Sequence, residues 1–289
     1  DASTREWKWK RFSEITSGDI LPLSMNASVG TPQTVRLPLL GQLHWNSSPR
    51  LTVPETMTPE LAELVGYFMG DGSLHSKGLR FCVSKEDHDV AQRITALVAS
   101  LFNLDCYLDP RQGYVEVGVN SVQLTHWWQA SGFNKLQPTP DHSGKGWTPR
   151  IPNAVLYTND PACYGAFLRG LFEADGTVTN GVPHWSSGRK SFSTQVKSLL
   201  LALGIPTTTK LDHSQWGDST LYVVRLLNQS YNHAFQEQIS FIVARKRNAV
   251  RVVETVQSAR RDYIYAEQEV IDVALSQPTE RNAVMLAVQ

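Results

Sequence analysis

The sequence predicts an α+β fold built twice over: two αββαββα units related by a pseudo-two-fold axis, each with one antiparallel sheet. Three observations carry this prediction. Residues 64–72 (LVGYFMGDG) and 168–176 (LRGLFEADG) repeat each other, with small residues at matched places and an Asp-Gly end. The same order of alternating and helical segments follows each copy. Tyr114-Val115 and Asn120 match Tyr222-Val223 and Asn228 at one constant offset, and the exits Ser131-Gly132-Phe133 and Ile239-Ser240-Phe241 correspond.

Each element follows from local chemistry. Thr58 is placed to cap the first helix, with Pro59 in its first turn and Glu60 at its positive end. LAELVGYFMG is apolar at helical spacing, and Gly72 stands where a left-handed C-cap belongs. SLHSKG and LRFCVS alternate as a hairpin, with His75, Lys77, Arg80 and Ser84 facing away from Leu79, Phe81 and Val83. A helix over 86–102 buries Val90, Ile94, Leu97, Val98 and Leu101. Strands around CYLD and YVEVGV and a short helix over 122–130 complete the first unit. In the second unit, YGAFLRGLFEADG follows Pro161 and stops at Gly176 in the same way. Strands near TVTNG and VPHWSS, a helix over 193–203, strands near TTTKLD and TLYVVRLL, and a helix over 231–238 come next. Trp127, Trp128 and Phe133 read as core, and a helix over 266–275 as packing.

Small residues four apart share one helix face, so Gly66, Gly70, Gly170 and Ala174 let the two repeated helices meet nearly backbone to backbone. Glu63, Arg169 and Glu173 exclude a membrane span for them. Asp71 and Asp175 then converge at the negative ends of their helices, where the macrodipole and mutual repulsion both oppose them. A divalent cation relieves both effects, and oxygen ligands favour a magnesium-like ion.

The 289 residues suffice for one large or two medium cores, and 27 Lys and Arg balance 27 Asp and Glu. The distribution of charge says more than the sum. Arg245, Lys246, Arg247, Arg251, Arg260 and Arg261 crowd together late in the chain, and residues 7–11 (WKWKR) interleave bases with aromatics. Cys82, Cys106 and Cys163 show no metal spacing and read as reduced thiols. With no signal pattern and no membrane-length apolar run, a cytoplasmic location without a membrane partner is expected. Two sheets joined along the repeated helices form a polar trough suited to duplex DNA read by β-ribbons.

LVGYFMGDG and LRGLFEADG resemble the two motifs of the LAGLIDADG homing endonucleases in their single-chain, duplicated form. The likeness covers residues 57–253 and includes the phrase RIPNAV before the second motif. LLLALGI and FIVARKRNAV resemble later blocks of intein-borne members, and EWKWKRFSEITSGDILPL is similar to the part of a splicing domain that precedes an endonuclease insertion. The resemblance divides the chain into an N-terminal segment (1–56, a splicing-scaffold remnant or extra DNA-contact region), a first repeat (57–140) and a linker (141–160). A second repeat (161–253) and a helical extension (254–289) follow. Asp1 and Val288-Gln289 stand where a splicing intein has Cys or Ser and His-Asn, so an excised endonuclease or a degenerate intein is expected.

The resemblance implies a monomer that makes a double-strand break in a long asymmetric DNA site and leaves short 3′ overhangs. It implies Mg2+ or Mn2+ as cofactor, with Ca2+ binding without cutting. Asp71 and Asp175 would hold the metals, helped by carbonyls at Gly70 and Ala174. Lys246, then Arg245, is the expected basic companion in the second half; Lys85 would position water, and Glu173 has a supporting role. The first half lacks the family's lysine before Ile151-Pro152, so Arg150 or Lys145 is expected to substitute, with unequal cutting of the strands. His75, Lys77, Arg80, Ser84, Thr177, Thr179 and Arg225 are expected on DNA, with Arg245, Arg247 and Arg251 on phosphates. Alternatives on the same scaffold are a non-catalytic nucleic-acid binder, an RNA-splicing maturase, or part of a protein-splicing intein.

Overall fold

The structure is a computed structural model, and it describes residues 9–16, 19–21, 30–41, 50–136, 148–213, 220–252 and 264–265. The chain forms two compact units. One joins Asp1–Ala27 with Thr255–Gln289. In it, β1 (Ile20–Leu21) pairs antiparallel with β10 (Ile264–Tyr265), and Lys10 Nζ lies 2.8 Å from Asp19 Oδ1. The helix expected over 266–275 lies outside the described residues, as do Lys145, Arg260 and Arg261.

The other unit, Ser28–Glu254, holds the duplicated fold. Its first half runs α1 (Pro59–Asp71), β2 (Gly72–His75), β3 (Gly78–Ser84), α2 (His88–Phe102), β4 (Tyr107–Pro110), β5 (Tyr114–Asn120) and α3 (Val122–Ala130). After a short α4 (Asn153–Leu156) the order recurs as α5 (Pro161–Asp175), β6 (Gly176–Thr179), β7 (Val182–Ser187), α6 (Lys190–Ala202), β8 (Thr207–His213), β9 (Thr220–Leu226) and α7 (Asn232–Gln238). A last helix, α8 (Ala244–Ala249), follows. The antiparallel sheets have equivalent strand orders, β2-β3-β5-β4 and β6-β7-β9-β8. The architecture is therefore the predicted α+β duplication. Among the described residues no helix is long and apolar enough to cross a membrane.

The helix starts obey capping chemistry. Thr58 Oγ1 accepts from Leu61 N at 3.3 Å, Asp160 Oδ1 from Ala162 N at 2.9 Å, and Ser121 Oγ from Leu124 N at 3.1 Å. The ends of the two motif helices differ from expectation. Gly72 and Gly176 are extended, with φ of −93° and −86°, so neither is a left-handed cap. Each is the first residue of a strand, folded back so tightly that a side chain would overlap Phe68 or Phe172 of the helix just ended. Glycine is required there by space, not by φ. Helix α2 begins at His88 and α6 at Lys190, while α4 and α8 were not anticipated.

The halves meet at the crossing of α1 and α5. A Cβ on Gly66 would strike the Phe167 carbonyl, and one on Gly170 would strike the Glu63 carbonyl and Tyr67 N. A Cβ on Gly70 would strike the methyl of Ala174. Glu63 and Phe167 are equivalent positions of the repeat, so these contacts obey the two-fold. Gly70 and Ala174, themselves equivalent, meet in the last turn of each helix, so the two helices run in the same direction and end together. Each helix then anchors its own aromatic core. Phe68 packs edge-on to Trp128 at 5.1 Å between ring centroids, and its equivalent Phe172 packs on Phe235 at 5.3 Å. Trp127, Trp128 and Phe133 are buried, as core residues.

Residues 30–41 and 50–56 lie against the first half. Trp127 Nε1 donates to the Pro38 carbonyl at 2.8 Å, and Thr52 N donates to that of Phe102 at 3.1 Å.

The Gly66→Ala variant is expected to lose about 1–3 kcal/mol of stability, since backbone on the facing helix must move. Gly41→Ala, with open space around it, should stay within about 0.5 kcal/mol of the parent. Urea denaturation followed by circular dichroism measures both.

Candidate functional site

Because α1 and α5 end together, their last residues, Asp71 and Asp175, sit side by side. A Cβ placed on Gly70 would lie 2.9 Å from Asp175 Oδ2. Asp71 is half-buried, and Asp175 reaches solvent at the open end of the crossing. Desolvation by the surrounding protein raises the Asp71 carboxyl. Desolvation first, then the Asp71 charge, push Asp175 up to about 7. These are the signs of two carboxylates held together against their repulsion.

Two lysines oppose that charge. Lys135 Nζ donates to the Gly70 carbonyl at 2.6 Å and lies 5.8 Å from the Phe68 ring centroid. Lys246 Nζ donates to the Glu173 carbonyl and lies 5.7 Å from the Phe241 ring centroid. Both lower the pKa of both aspartates, and the aspartates in turn oppose the downward pull of burial on Lys135. The site is thus close to symmetric: two acids, each helix end with one ammonium on a backbone carbonyl.

The two lysines arrive by different routes. Lys135 follows Phe133 in the irregular chain after α3. Lys246 is delivered by α8, which is docked onto α5 by Glu173. Glu173 Oε2 accepts from Ile242 N at 2.5 Å and Val243 N at 3.1 Å, while Oε1 lies 3.4 Å from Lys246 Nζ. Glu173 is buried, and its role here is to seat the element that carries Lys246.

The other basic candidates lie elsewhere. Arg150 donates through Nη2 to the Gly132 carbonyl at 3.0 Å, so it anchors the exit of α3 and Lys135 occupies the place expected for it. Arg245 is committed to Asp87, with Nε to Oδ1 at 2.8 Å and Nη2 to Oδ2 at 2.6 Å, and faces a protein carboxylate in place of a phosphate. Arg247 Nη1 turns back to the Phe241 and Ile242 carbonyls at 3.4 Å. Lys85 is exposed in the turn after β3, and Arg251 is exposed with its backbone N–H on the Gly181 carbonyl. Lys135 was missed from the sequence, although it falls two residues after the aligned exit at Phe133.

The sheets present polar outer faces. In the first, Ser73, Arg80, Gly118 and Tyr107 form one row across the four strands, flanked by His75, Cys82 and Ser84. Lys77 is exposed in the β2–β3 turn. Arg80 Nε lies 3.4 Å from Glu116 Oε1. The equivalent row of the second sheet is Thr177, His184, Arg225 and Thr208, with Thr179 exposed on β6. Arg225 Nη2 donates to the Thr179 carbonyl at 3.3 Å.

Among the described residues no three His, Cys, Asp or Glu side chains gather as a metal cluster. The available donors are two carboxylates and main-chain oxygens at two helix ends. These are hard oxygens, two of them carboxylates held together against their repulsion, a set that fits a magnesium-like cation completed by water.

Residues 162–240 match the family model described as a LAGLIDADG-like domain. They cover α5 through α7, so the second half of the fold is a LAGLIDADG-like domain. Among curated proteins the chain is similar to a glutamine–fructose-6-phosphate aminotransferase of Methanocaldococcus jannaschii, 24% identical over 204 residues and 69% of this chain. It is similar to the replication factor C small subunit of the same organism, 23% identical over 247 residues and 80% of this chain. A DNA polymerase of Thermococcus sp. (strain GE8) is 28% identical over 204 residues and 64% of this chain. The chain spans only 18%, 13% and 11% of these relatives.

Among solved structures it is similar to I-DmoI in complex with DNA and Mn, at 18% identity and a TM-score of 0.45, over 63% of this chain and 96% of that one. It is also similar to full-length DUF199/WhiA from Thermatoga maritima, at 14% identity and a TM-score of 0.42, over 79% of this chain and 64% of that one.

The raised carboxyl of Asp175 sets a pH dependence. Its folded value of about 7 lies above the ordinary 3.8, so the folded state holds the proton more tightly and metal-free stability falls as pH rises from about 4 to about 7. Solvent at this carboxylate keeps the effect to a few degrees of melting temperature. Metal-free protein should melt lower at pH 8 than at pH 5, Asp175→Asn should flatten that slope, and magnesium should stabilise the parent more at pH 8. Differential scanning calorimetry checks all three.

Proposed function

We propose that this chain is a divalent-metal-dependent, site-specific DNA endonuclease of the LAGLIDADG homing type. The observation that carries the reading is the paired site itself: Asp71 and Asp175 at the joined ends of two glycine-packed helices, with Lys135 and Lys246 beside them. A binder of nucleic acid has no use for two carboxylates held next to each other, since both repel phosphate. A hydrolase acting on two strands does, and the pseudo-two-fold offers one ammonium to each. That supports double-strand cutting by a monomer, because a single chain supplies both halves.

Asp71 and Asp175 would hold magnesium or manganese, with carbonyls at Gly70 and Ala174 as further donors. When bound, the metal supplies an activated water and charge stabilisation at the leaving oxygen. Lys135 and Lys246 are fixed by carbonyls on one side, leaving their remaining N–H groups to orient a phosphate oxygen or water and offset its charge. The outer rows Ser73-Arg80-Tyr107 and Thr177-His184-Arg225-Thr208 are suited to base edges of a duplex. His75, Ser84 and Thr179 extend these rows, while Lys77, Lys85, Arg247 and Arg251 are available to phosphates. The balanced charge of the chain argues for contacts set by position more than by bulk attraction. The short 3′ overhangs and long asymmetric target of such enzymes belong to this reading, as does an intracellular place of action on genomic DNA.

The intein-borne type is supported by the curated relatives. Their names describe unrelated proteins, yet each matches this chain over less than a fifth of its own length. A segment carried inside different host proteins has that signature.

A selection over randomised duplex sites, run with magnesium and with EDTA, tests the reading. Linear product is expected with magnesium alone. Asp71→Asn and Asp175→Asn should each abolish it, and retained cutting by either variant would refute the mechanism. Duplex binding without any cutting would leave the non-catalytic binder in its place. Lys135→Met and Lys246→Met should each slow one strand, by about 10²–10³-fold, on strand-labelled substrate.

A further inference from the structure

We infer that Asp87, in the first half, positions Lys246 in the second, so that one lysine of the pair depends on contact between the halves. The inference rests on the endonuclease reading above. It starts from a local anomaly. Asp87 is the N-cap residue of α2, a place where aspartate ordinarily accepts from the first-turn N–H groups. Here its side chain makes no capping hydrogen bond. Its two oxygens instead take both arms of the Arg245 guanidinium, at 2.8 and 2.6 Å. The Asp87 side chain is only 8% exposed, so the carboxylate is turned inward across the halves and away from its own helix. A favourable local bond has been given up for a distant one.

Arg245 precedes Lys246 on α8, a helix of six residues with no buried residue of its own. Such a helix is held by its attachments. Glu173 seats its amino end on α5, and Gln236 Nε2 donates to the Arg247 carbonyl at 2.8 Å on α7. Both of those attachments come from the second half. Arg245 to Asp87 is the one that reaches the first. Lys246 itself reaches Glu173 of the second half, and a bidentate pair one residue before it ties the same turn of α8 to the first half, which fixes where the ammonium points.

The turn that presents Asp87 also leaves the outer-face strand β3, through Ser84, Lys85 and Glu86, and Asp87 N donates to the Ser84 carbonyl at 2.9 Å. A duplex lying on the first sheet therefore presses on the element that steadies the lysine of the second. Among the described residues the neighbour of the other lysine makes a different contact. Lys135 is preceded by Asn134, whose side chain only bonds the Lys135 carbonyl at 3.3 Å.

The test is Asp87→Asn in the full chain. Asparagine keeps the volume and can cap α2, so the fold is retained. The strand served by Lys246 is the one slowed by Lys246→Met. On a supercoiled plasmid bearing a selected site, Asp87→Asn should slow that strand about tenfold, leave the other within about twofold, and accumulate nicked circles. The charge exchange Asp87→Arg with Arg245→Asp should restore linear product. Equal slowing of both strands, or none, overturns the inference.

A measurement without DNA separates this from failure of the endonuclease reading. With lysines reductively 13C-methylated and Lys246 assigned through Lys246→Arg, Asp87→Asn should shift and broaden the Lys246 signal and leave that of Lys135 in place. An unmoved Lys246 signal overturns the positioning role whether or not the parent protein cuts.

Discussion

The direct contact of α1 backbone with α5 backbone is the constraint on which the remainder of the molecule depends. It exists because Gly66 and Gly170 present no side chain to the facing carbonyls, and because Gly70 and Ala174 shrink the last turn. The closeness fixes the separation of the two sheets, since each hangs from the end of its helix through Gly72 or Gly176. It also brings Asp71 and Asp175 together at the one place where helix dipoles and like charge oppose them. Close packing and electrostatic strain are thus two ends of the same crossing. The first makes the second affordable, through burial of large aromatic cores on either side.

Charge at the crossing is managed by ion pairs, of which Glu63 with Arg169 and Asp87 with Arg245 join the halves. Glu63, fully buried on α1, takes both arms of Arg93 at 2.7 and 2.9 Å and Arg169 of α5 at 3.1 Å. Arg169 also reaches the Ile239 carbonyl at 2.6 Å. Arg245 and Asp87 make a second bridge from the outer end. Removing the arginine of such a pair strands a buried carboxylate, which makes these bridges determinants of which half packs on which, more than sources of net stability.

Much of this was legible in the sequence because it is periodic. The duplicated stretch specified two helices in equivalent settings, and alternation gave four strands per half with the correct face outward, as at Arg80 against Phe81. The acids were legible for the same reason, since each ends a repeated motif. Of the basic residues Lys246 was legible in the basic run late in the chain, but Lys135 was not, because the two lysines belong to no repeat. Lys135 comes off the exit of α3 and Lys246 off a short helix, so no common offset links them, and the search for a lysine before Ile151 led to Arg150. The alignment of Phe133 with Phe241 held the clue, since each is followed within a few residues by a lysine. The pairing of Arg245 with Asp87 was not legible because the carboxylate lies far away in sequence. Glycine at 72 and 176 was anticipated for its freedom of φ, whereas folding back on Phe68 and Phe172 demands its small volume.

The contacts across the crossing also bear on how the halves choose each other. Glu63 and Val65 of α1 occupy the places held by Phe167 and Arg169 in α5. Were the first half to pair with its own copy, each buried Glu63 would lose Arg169 and face Val65 in its stead. Were the second half to do so, Arg169 would meet Phe167 and no acid. The first self-pairing would leave Glu63 with Arg93 alone and the second would leave Arg169 with no acid, while the mixed pairing joins all three. The duplicated chain is therefore a lock with two unlike faces: its backbone keeps the two-fold, and its side chains favour the pairing of unlike halves.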